Sequence, residues 1–228
     1  MDTVVIFDFD GVITDSEPLH HRAFQRVLKS EGIELSWEEY VRNWIGFDDR
    51  DVFRGLWART GRQLCPEKLR ELIQRKADAV VQLAAESPPP LYEGVVDLLR
   101  ALRPHAVIAL CTGALASDIR AILQRQRLQE LFDVIVTADD VAASKPDPSG
   151  YRLAHQRAAA SLGRRPDTVR GVAVEDTPTG IESAQCAHLP VVAVATTHSP
   201  EDLRGADLVV SSVNCLSVDQ LLELARVP

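Results

Sequence analysis

The chain has 228 residues, of which 46% are apolar and 25% charged, and a net charge of −8. That length suits one large domain, or one domain carrying an insertion, with a substantial core. The negative charge speaks against nonspecific binding to nucleic acid or to an anionic membrane, and an anionic small substrate would need a locally recruited cation.

The first element is a strand. Val4, Val5, Ile6 and Phe7 are β-branched or aromatic, and two carboxylates, Asp8 and Asp10, stand where the run stops, with Gly11 after them. The run is broken by Asp8 and preceded by no basic region, so it does not read as a signal peptide. Between 16 and 87 no strand pattern occurs. Helical patterns fill it: 17–32, closing on Gly32; "SWEEYVRNW", opening on the box Ser36-x-x-Glu39; and stretches at about 49–60 and 66–86. The proline triplet Pro88–Pro90 stops the last of these. Residues 16–87 are therefore expected to form a helical cap, inserted in a core built from 1–15 and 88–228.

After the insertion the pattern alternates. "EGVVDLLRAL" sets Val95, Val96, Leu98, Leu99 and Leu102 on one stripe. Then come "AVIALCT" (106–112), the amphipathic "ASDIRAILQRQ", "DVIVTA" (133–138), "GVAVED" (171–176), "VVAVAT" (191–196), "DLVVSS" (207–212) and the helical "SVDQLLELAR". Short, continuous, β-rich runs suit strands buried on both faces. Alternation of strand and helix predicts an α/β fold, a doubly wound parallel sheet with helices on both sides. No apolar stretch approaches the ~20 residues of a membrane span. Cys65, Cys111, Cys186 and Cys215 are scattered without C-x-x-C spacing, so a reduced, cytoplasmic protein is expected, and nothing in the pattern asks for more than a monomer.

Ligands of such sheets bind at the carboxyl ends of the strands. There the sequence places Asp8 and Asp10, Thr112 and Gly113, Glu175 and Asp176, and, after the third run, Lys145 in "AASKPDP". Four carboxylates in one cleft cannot all ionise uncompensated. A hard cation with oxygen ligands supplies the compensation, and Mg²⁺ is the expected cofactor. Mg²⁺ sites of this kind commonly share a substrate phosphate. The Thr112 hydroxyl, the Gly113 N–H and the Lys145 ammonium are suited to hold one. Asp8, at the rigid strand end, then suits a nucleophile that forms an aspartyl phosphate. Asp10, on the loop, suits the acid and base. The plainer reading of Glu175-Asp176-Thr177-Pro178 is a helix start, with Thr177 as N-cap and Pro178 at the first helical position.

In this order, "DFDGV", the Thr112 ending an apolar run, "KPDP" and "VEDTPTGIESA" resemble the four motifs of the haloacid dehalogenase-like hydrolases. "DGVITDSEPLH" and "GVAVEDTPTGIESA" are most similar to the β-phosphoglucomutase-like phosphatase branch. The resemblance implies a Rossmann-like core with a helical cap. It also implies Mg²⁺ held by Asp8, the backbone carbonyl of Asp10 and Asp176, with Glu175 nearby or coordinating, and a small phosphorylated metabolite, such as a sugar phosphate, as substrate. Dehalogenases and phosphonate-cleaving relatives lack the second aspartate that Asp10 supplies. Two readings remain, a phosphatase and a sugar phosphomutase. His20 and Lys76 match the mutase pattern. Against it, the cap loop "GFDDRD" carries Asp48 and Asp49 where the mutase has an arginine, Arg50 is displaced, and "TGALASD" lacks the mutase lysine. Phe47, Asp48, Asp49, Arg50, His20 and Lys76 are the candidate substrate selectors. A phospho-accepting receiver domain gathers similar residues, but is about half this length and carries no helical insertion.

Overall fold

The computed structural model describes residues 2–45 and 47–227. The strands are β1 (Thr3–Phe7), β2 (Val107–Cys111), β3 (Val134–Val136), β4 (Arg170–Glu175), β5 (Val191–Val194) and β6 (Leu208–Val210). The helices are α1 (Glu17–Ser30), α2 (Trp37–Asn43), α3 (Asp49–Arg59), α4 (Pro66–Glu86), α5 (Val95–Leu102), α6 (Ala116–Gln126), α7 (Ser149–Ser161), α8 (Pro178–Cys186) and α9 (Val218–Leu224). The chain divides into two compact units.

The first unit comprises Met1–Asp15, Pro90–Thr112 and Leu128–Pro228. All six apolar runs become strands of one parallel sheet, ordered β3-β2-β1-β4-β5-β6. This is the doubly wound order, and the direction of winding reverses between β1 and β4. The register sets Val5 between Ile108 and Val172. Alternate side chains explain the unbroken apolar runs. Val4, Ile6, Val107, Ala109, Ala173 and Val191 face Tyr151, Ala154 and Ala158 of α7 and Ile181 and Ala184 of α8. On the other side α5 and α9 pack together, and α9 lies on β4. Every residue of β1 is buried. At about 1.5–3 kcal/mol for each buried Val, Ile or Phe, this strand is a firm anchor, and Asp8 follows directly on its end.

The second unit comprises Ser16–Pro89 and Gly113–Arg127. Its core joins Phe24, Val27 and Leu28 of α1, Tyr40 of α2, Val52, Phe53, Leu56 and Trp57 of α3, and Leu72 of α4. The starts and stops follow the expected chemistry. Gly32, at φ +66, turns the chain out of α1, Ser36 Oγ accepts the Glu39 N–H at 3.1 Å, and Pro66 opens α4. The Glu39 carboxylate takes the Arg59 guanidinium. Residues 113–127, which the sequence reading leaves with the strands, cluster with this unit because α6 packs along α4. Among the described residues, no helix is long and apolar enough to cross a membrane.

Candidate active site

The strand ends of the first unit bring charged groups together by backbone geometry. The Asp8 N–H bonds Val174 O at 2.9 Å, so the β1–β4 ladder fixes the Asp8 backbone one residue past the strand. Gly11 then turns at φ +79, and a Cβ there would stand 1.8 Å from Asp176 Oδ2. Only glycine serves at that position, since it allows both the left-handed turn and the close approach. Thr112 is held by its N–H to Val136 O at 3.0 Å, and its Oγ1 lies 3.4 Å from Asp10 Oδ2. Gly113 follows it in the chain, and among the described residues, its chain neighbours aside, nothing lies within 4 Å of where its Cβ would be.

Lys145 connects the acids. Its Nζ donates to Asp8 Oδ1 at 2.6 Å, to Glu175 Oε1 at 2.5 Å and to Cys111 O at 3.3 Å. It also lies 5.1 Å from the centre of the Tyr151 ring. Glu175 accepts on both of its oxygens. Oε1 also accepts the Tyr151 hydroxyl at 2.7 Å. Oε2 accepts the N–H groups of Asp176 and Thr177 at 3.0 and 3.3 Å and the Thr177 hydroxyl at 3.1 Å.

These environments separate the three carboxyls. Burial pushes Asp8 up to about 8, aided by the charges of Glu175 and Asp10 and opposed by Lys145. Burial pushes Asp176 well above the carboxylate range, with the charges of Glu175 and Asp8 adding to it. Burial acts on Glu175 in the same sense, but the charge and hydrogen bond of Lys145 and the Tyr151 hydroxyl outweigh it and hold that carboxyl low. For Lys145, burial opposes the charge, yet Asp8 and Glu175 win and the ammonium is kept protonated. One ammonium thus serves Asp8 and Glu175 together, and the three buried carboxyls remain short of positive charge.

The residues fit a divalent cation. One carboxylate oxygen each from Asp8, Glu175 and Asp176 can be chosen so that all lie within 4.8 Å of one another, and all three residues are buried. Asp176 Oδ1 is buried and has no hydrogen-bond partner among the described residues. An all-oxygen, carboxylate-rich donor set suits a hard ion.

Sequence reading missed the groups that hold the acids. Tyr151 lies in α7, whose inward face of Tyr151, Ala154, His155, Ala158 and Ala159 is too small-residue to show a stripe. Gly180 leaves room for Glu175, whose carboxyl carbon would lie 2.0 Å from an added Cβ. Thr177 has a double task, capping α8 by accepting the Gly180 N–H at 3.0 Å and donating to Glu175. The run "VVAVAT" ends on Thr196, and Thr197 follows it; their hydroxyls bond Gly11 O and Asp176 Oδ2.

In the helical unit three of the candidate selectors meet. Lys76, fully buried, has its Nζ 2.8 Å from His20 Nδ1, 2.8 Å from Asp49 Oδ1 and 3.5 Å from Asp118 Oδ2. Asp118, on α6, was not singled out from sequence. Burial raises its carboxyl against the pull of Lys76 and His20. The other three selectors do other things. Asp48 caps α3 through the Asp51 N–H at 2.8 Å and pairs with Arg50 at 3.0 Å. Phe47 is exposed and lies edge-on to Trp44.

The haloacid dehalogenase-like hydrolase family model matches residues 5–194. The chain belongs to this family. It is 31% identical to a phosphoglycolate phosphatase of Caulobacter vibrioides, over 91% of this chain and 86% of that one. It is 29% identical to the fructose-1-phosphate phosphatase YqaB of Escherichia coli, over 83% and 95%. The crystal structure of CbbY from Rhodobacter sphaeroides in complex with phosphate superposes with a TM-score of 0.82 at 27% identity, covering 97% of this chain and 99% of that one. Within the haloacid dehalogenase-like hydrolases this chain is a phosphoric monoester hydrolase.

Proposed function

We propose that the chain is a Mg²⁺-dependent phosphatase acting on a small phosphorylated metabolite, a sugar phosphate, through an aspartyl phosphate on Asp8. The observation that carries this reading is the set of three buried carboxylates with one lysine between two of them, Asp8 and Glu175, while Asp176 Oδ1 has no partner among the described residues. Such a set is a costly arrangement unless a cation completes it. When bound, Mg²⁺ neutralises these acids and the substrate phosphate; Asp8, the Asp10 carbonyl and Asp176 would hold it, with Glu175 behind them.

In this scheme the Asp8 carboxylate attacks phosphorus, and the leaving alkoxide takes a proton from Asp10. Asp10 then removes a proton from the water that attacks the aspartyl phosphate, which releases inorganic phosphate and returns Asp8. Thr112, Gly113 and Lys145 hold the phosphoryl oxygens. Lys145 serves also as counter-ion, since its bond to Asp8 favours the ionised nucleophile. The helical unit is proposed to be a cap that selects the organic part of the substrate.

The test is phosphate release from a panel of sugar phosphates with and without Mg²⁺, in the wild type and in Asp8→Asn. The wild type should turn over only with the metal. The variant should fold and release no phosphate; full activity in it removes Asp8 as nucleophile. A phosphomutase is the second reading, and the contact between His20 and Lys76 favours it. Asp49 and Asp118 beside Lys76, and Asp48 on Arg50, count against it, because they offset the cations a second phosphate would need. Conversion of β-glucose 1-phosphate, with the 1,6-bisphosphate present, to glucose 6-phosphate rather than free phosphate would decide for the mutase.

A further inference from the structure

We infer that Thr197 is a positioning residue for the proposed Mg²⁺: its hydroxyl holds one oxygen of Asp176 and leaves the other for the cation. The inference rests on the metal reading above and adds a residue to it. Thr197 Oγ1 is bonded to Asp176 Oδ2 and lies 3.2 Å from Asp176 O. With the metal bound Asp176 is ionised and only accepts, so the single hydroxyl proton goes to Oδ2, the shorter of the two contacts. His198 Nδ1 stands 3.0 Å from the same Oγ1. With the hydroxyl proton already committed, the threonine oxygen must accept there, which puts the imidazole proton on Nδ1. The chain of donors runs from His198 to Thr197 to Asp176.

A second observation shows which oxygen is fixed. Gly11 leaves the room that Oδ2 occupies, since an added Cβ would stand 1.8 Å from it. Gly11 itself is held by the Thr196 hydroxyl on its carbonyl. The two threonines that follow β5 thus hold both the Asp176 carboxylate and the turn against which it lies. Asp176 Oδ1 has no donor among the described residues although it is buried. The terminal torsion of aspartate is soft and roughly two-fold. Without the hydroxyl the carboxylate can rotate, and its ordering must be supplied when the metal binds.

Partners that orient a metal-binding carboxylate typically contribute about 10–100-fold in metal affinity. The experiment is Mg²⁺ binding by isothermal titration calorimetry to the wild type, Thr197→Val and Thr197→Ser, alongside kcat on p-nitrophenyl phosphate at saturating Mg²⁺. Thr197→Val, which keeps the shape and removes the hydroxyl, should raise Kd about 10–100-fold. Thr197→Ser should restore it to within about threefold. At saturating metal kcat of Thr197→Val should stay within about threefold of wild type, because Thr197 touches no reacting atom. Circular dichroism in EDTA checks folding, and Thr197→Ala replaces the valine variant if that one does not fold. A Kd for Thr197→Val within about twofold of wild type overturns the inference. So does a serine variant as weak as the valine one, which would show that the hydroxyl is not what supports the metal. A wild type that takes up no Mg²⁺ defeats the metal reading itself, a result distinct from either of these.

Discussion

Replacing Lys145 with methionine tests whether one ammonium holds the acidic cluster together. The substitution keeps the length of the stem and removes the charge. In the wild type Nζ is 2.6 Å from Asp8 and 2.5 Å from Glu175. At an effective dielectric constant near 20 each contact is worth about 6 kcal/mol before desolvation is subtracted. The net loss on removing one partner of a buried pair is about 3–5 kcal/mol. Asp8, raised to about 8, is largely protonated at pH 6, so most of the cost falls on Glu175, which Lys145 keeps ionised. The sign with pH follows. In the variant Glu175 loses the group that holds its pKa low, and burial lifts it above the unfolded value. A carboxyl raised on folding gains stability as pH falls, so the deficit should shrink by at least about 1 kcal/mol between pH 9 and pH 6. Urea unfolding followed by circular dichroism in EDTA measures it. Mg²⁺ at about a hundredfold excess over Kd should restore about 2.7 kcal/mol to a variant that still binds it. A deficit under about 1 kcal/mol at pH 9, or one that is the same at both pH values, refutes the reasoning.

Gly180→Ala should destabilise by about 1–3 kcal/mol, although alanine is favoured over glycine in a helix by about 1 kcal/mol, because the new methyl occupies the place of the Glu175 carboxylate; a gain in unfolding free energy would show that Glu175 moves aside freely. Lys76→Met should cost the helical unit about 3–5 kcal/mol by leaving Asp49 and Asp118 without their cation. Adding Asp118→Asn to that variant should recover at least about 1 kcal/mol, as read from tryptophan fluorescence in urea, since Trp37, Trp44 and Trp57 all lie in that unit.

The sheet was legible because all six strands announce themselves as apolar runs, and their crossing helices follow from parallel pairing. Helix α7 was not, because its buried face is mostly alanine and carries a histidine and a tyrosine in place of a leucine stripe. At the strand ends the charged residues were legible as types, because carboxylates at the close of apolar runs are costly enough to demand a reason of their own. Their hydrogen-bond partners were not, since a threonine after a strand or a glycine early in a helix has a sufficient local reason to be there. Thr177 shows the difficulty, for the capping reading is correct and incomplete at once. Asp118 was hidden for another reason. It lies on α6, far in sequence from α1, α3 and α4, and only the packing of that helix on α4 brings it to Lys76.

Glu175 and Asp176 are adjacent carboxylates, and their surroundings predict opposite responses to the same chemical change. Glu175 accepts from Lys145 and Tyr151 on one oxygen and from two N–H groups and the Thr177 hydroxyl on the other. Its charge is already distributed, and the amide of Glu175→Gln cannot accept on its nitrogen side. That variant should lose about 3–5 kcal/mol, because Lys145 is left with Asp8 as its one carboxylate partner among the described residues and an amide N–H₂ must face other donors. Asp176 accepts from Thr197 on one side chain oxygen, and the other has no donor among the described residues. Burial and the neighbouring charges raise it, so its ionised form weakens the fold as pH rises. Asp176→Asn should therefore stabilise the metal-free protein by about 1 kcal/mol or more at pH 8, while Mg²⁺ no longer adds to its stability. Urea midpoints with EDTA and with Mg²⁺ separate the two cases. If Asp176→Asn is destabilised as strongly as Glu175→Gln, then Asp176 is a structural acid like its neighbour, and the cost of its buried charge is not what the cation relieves.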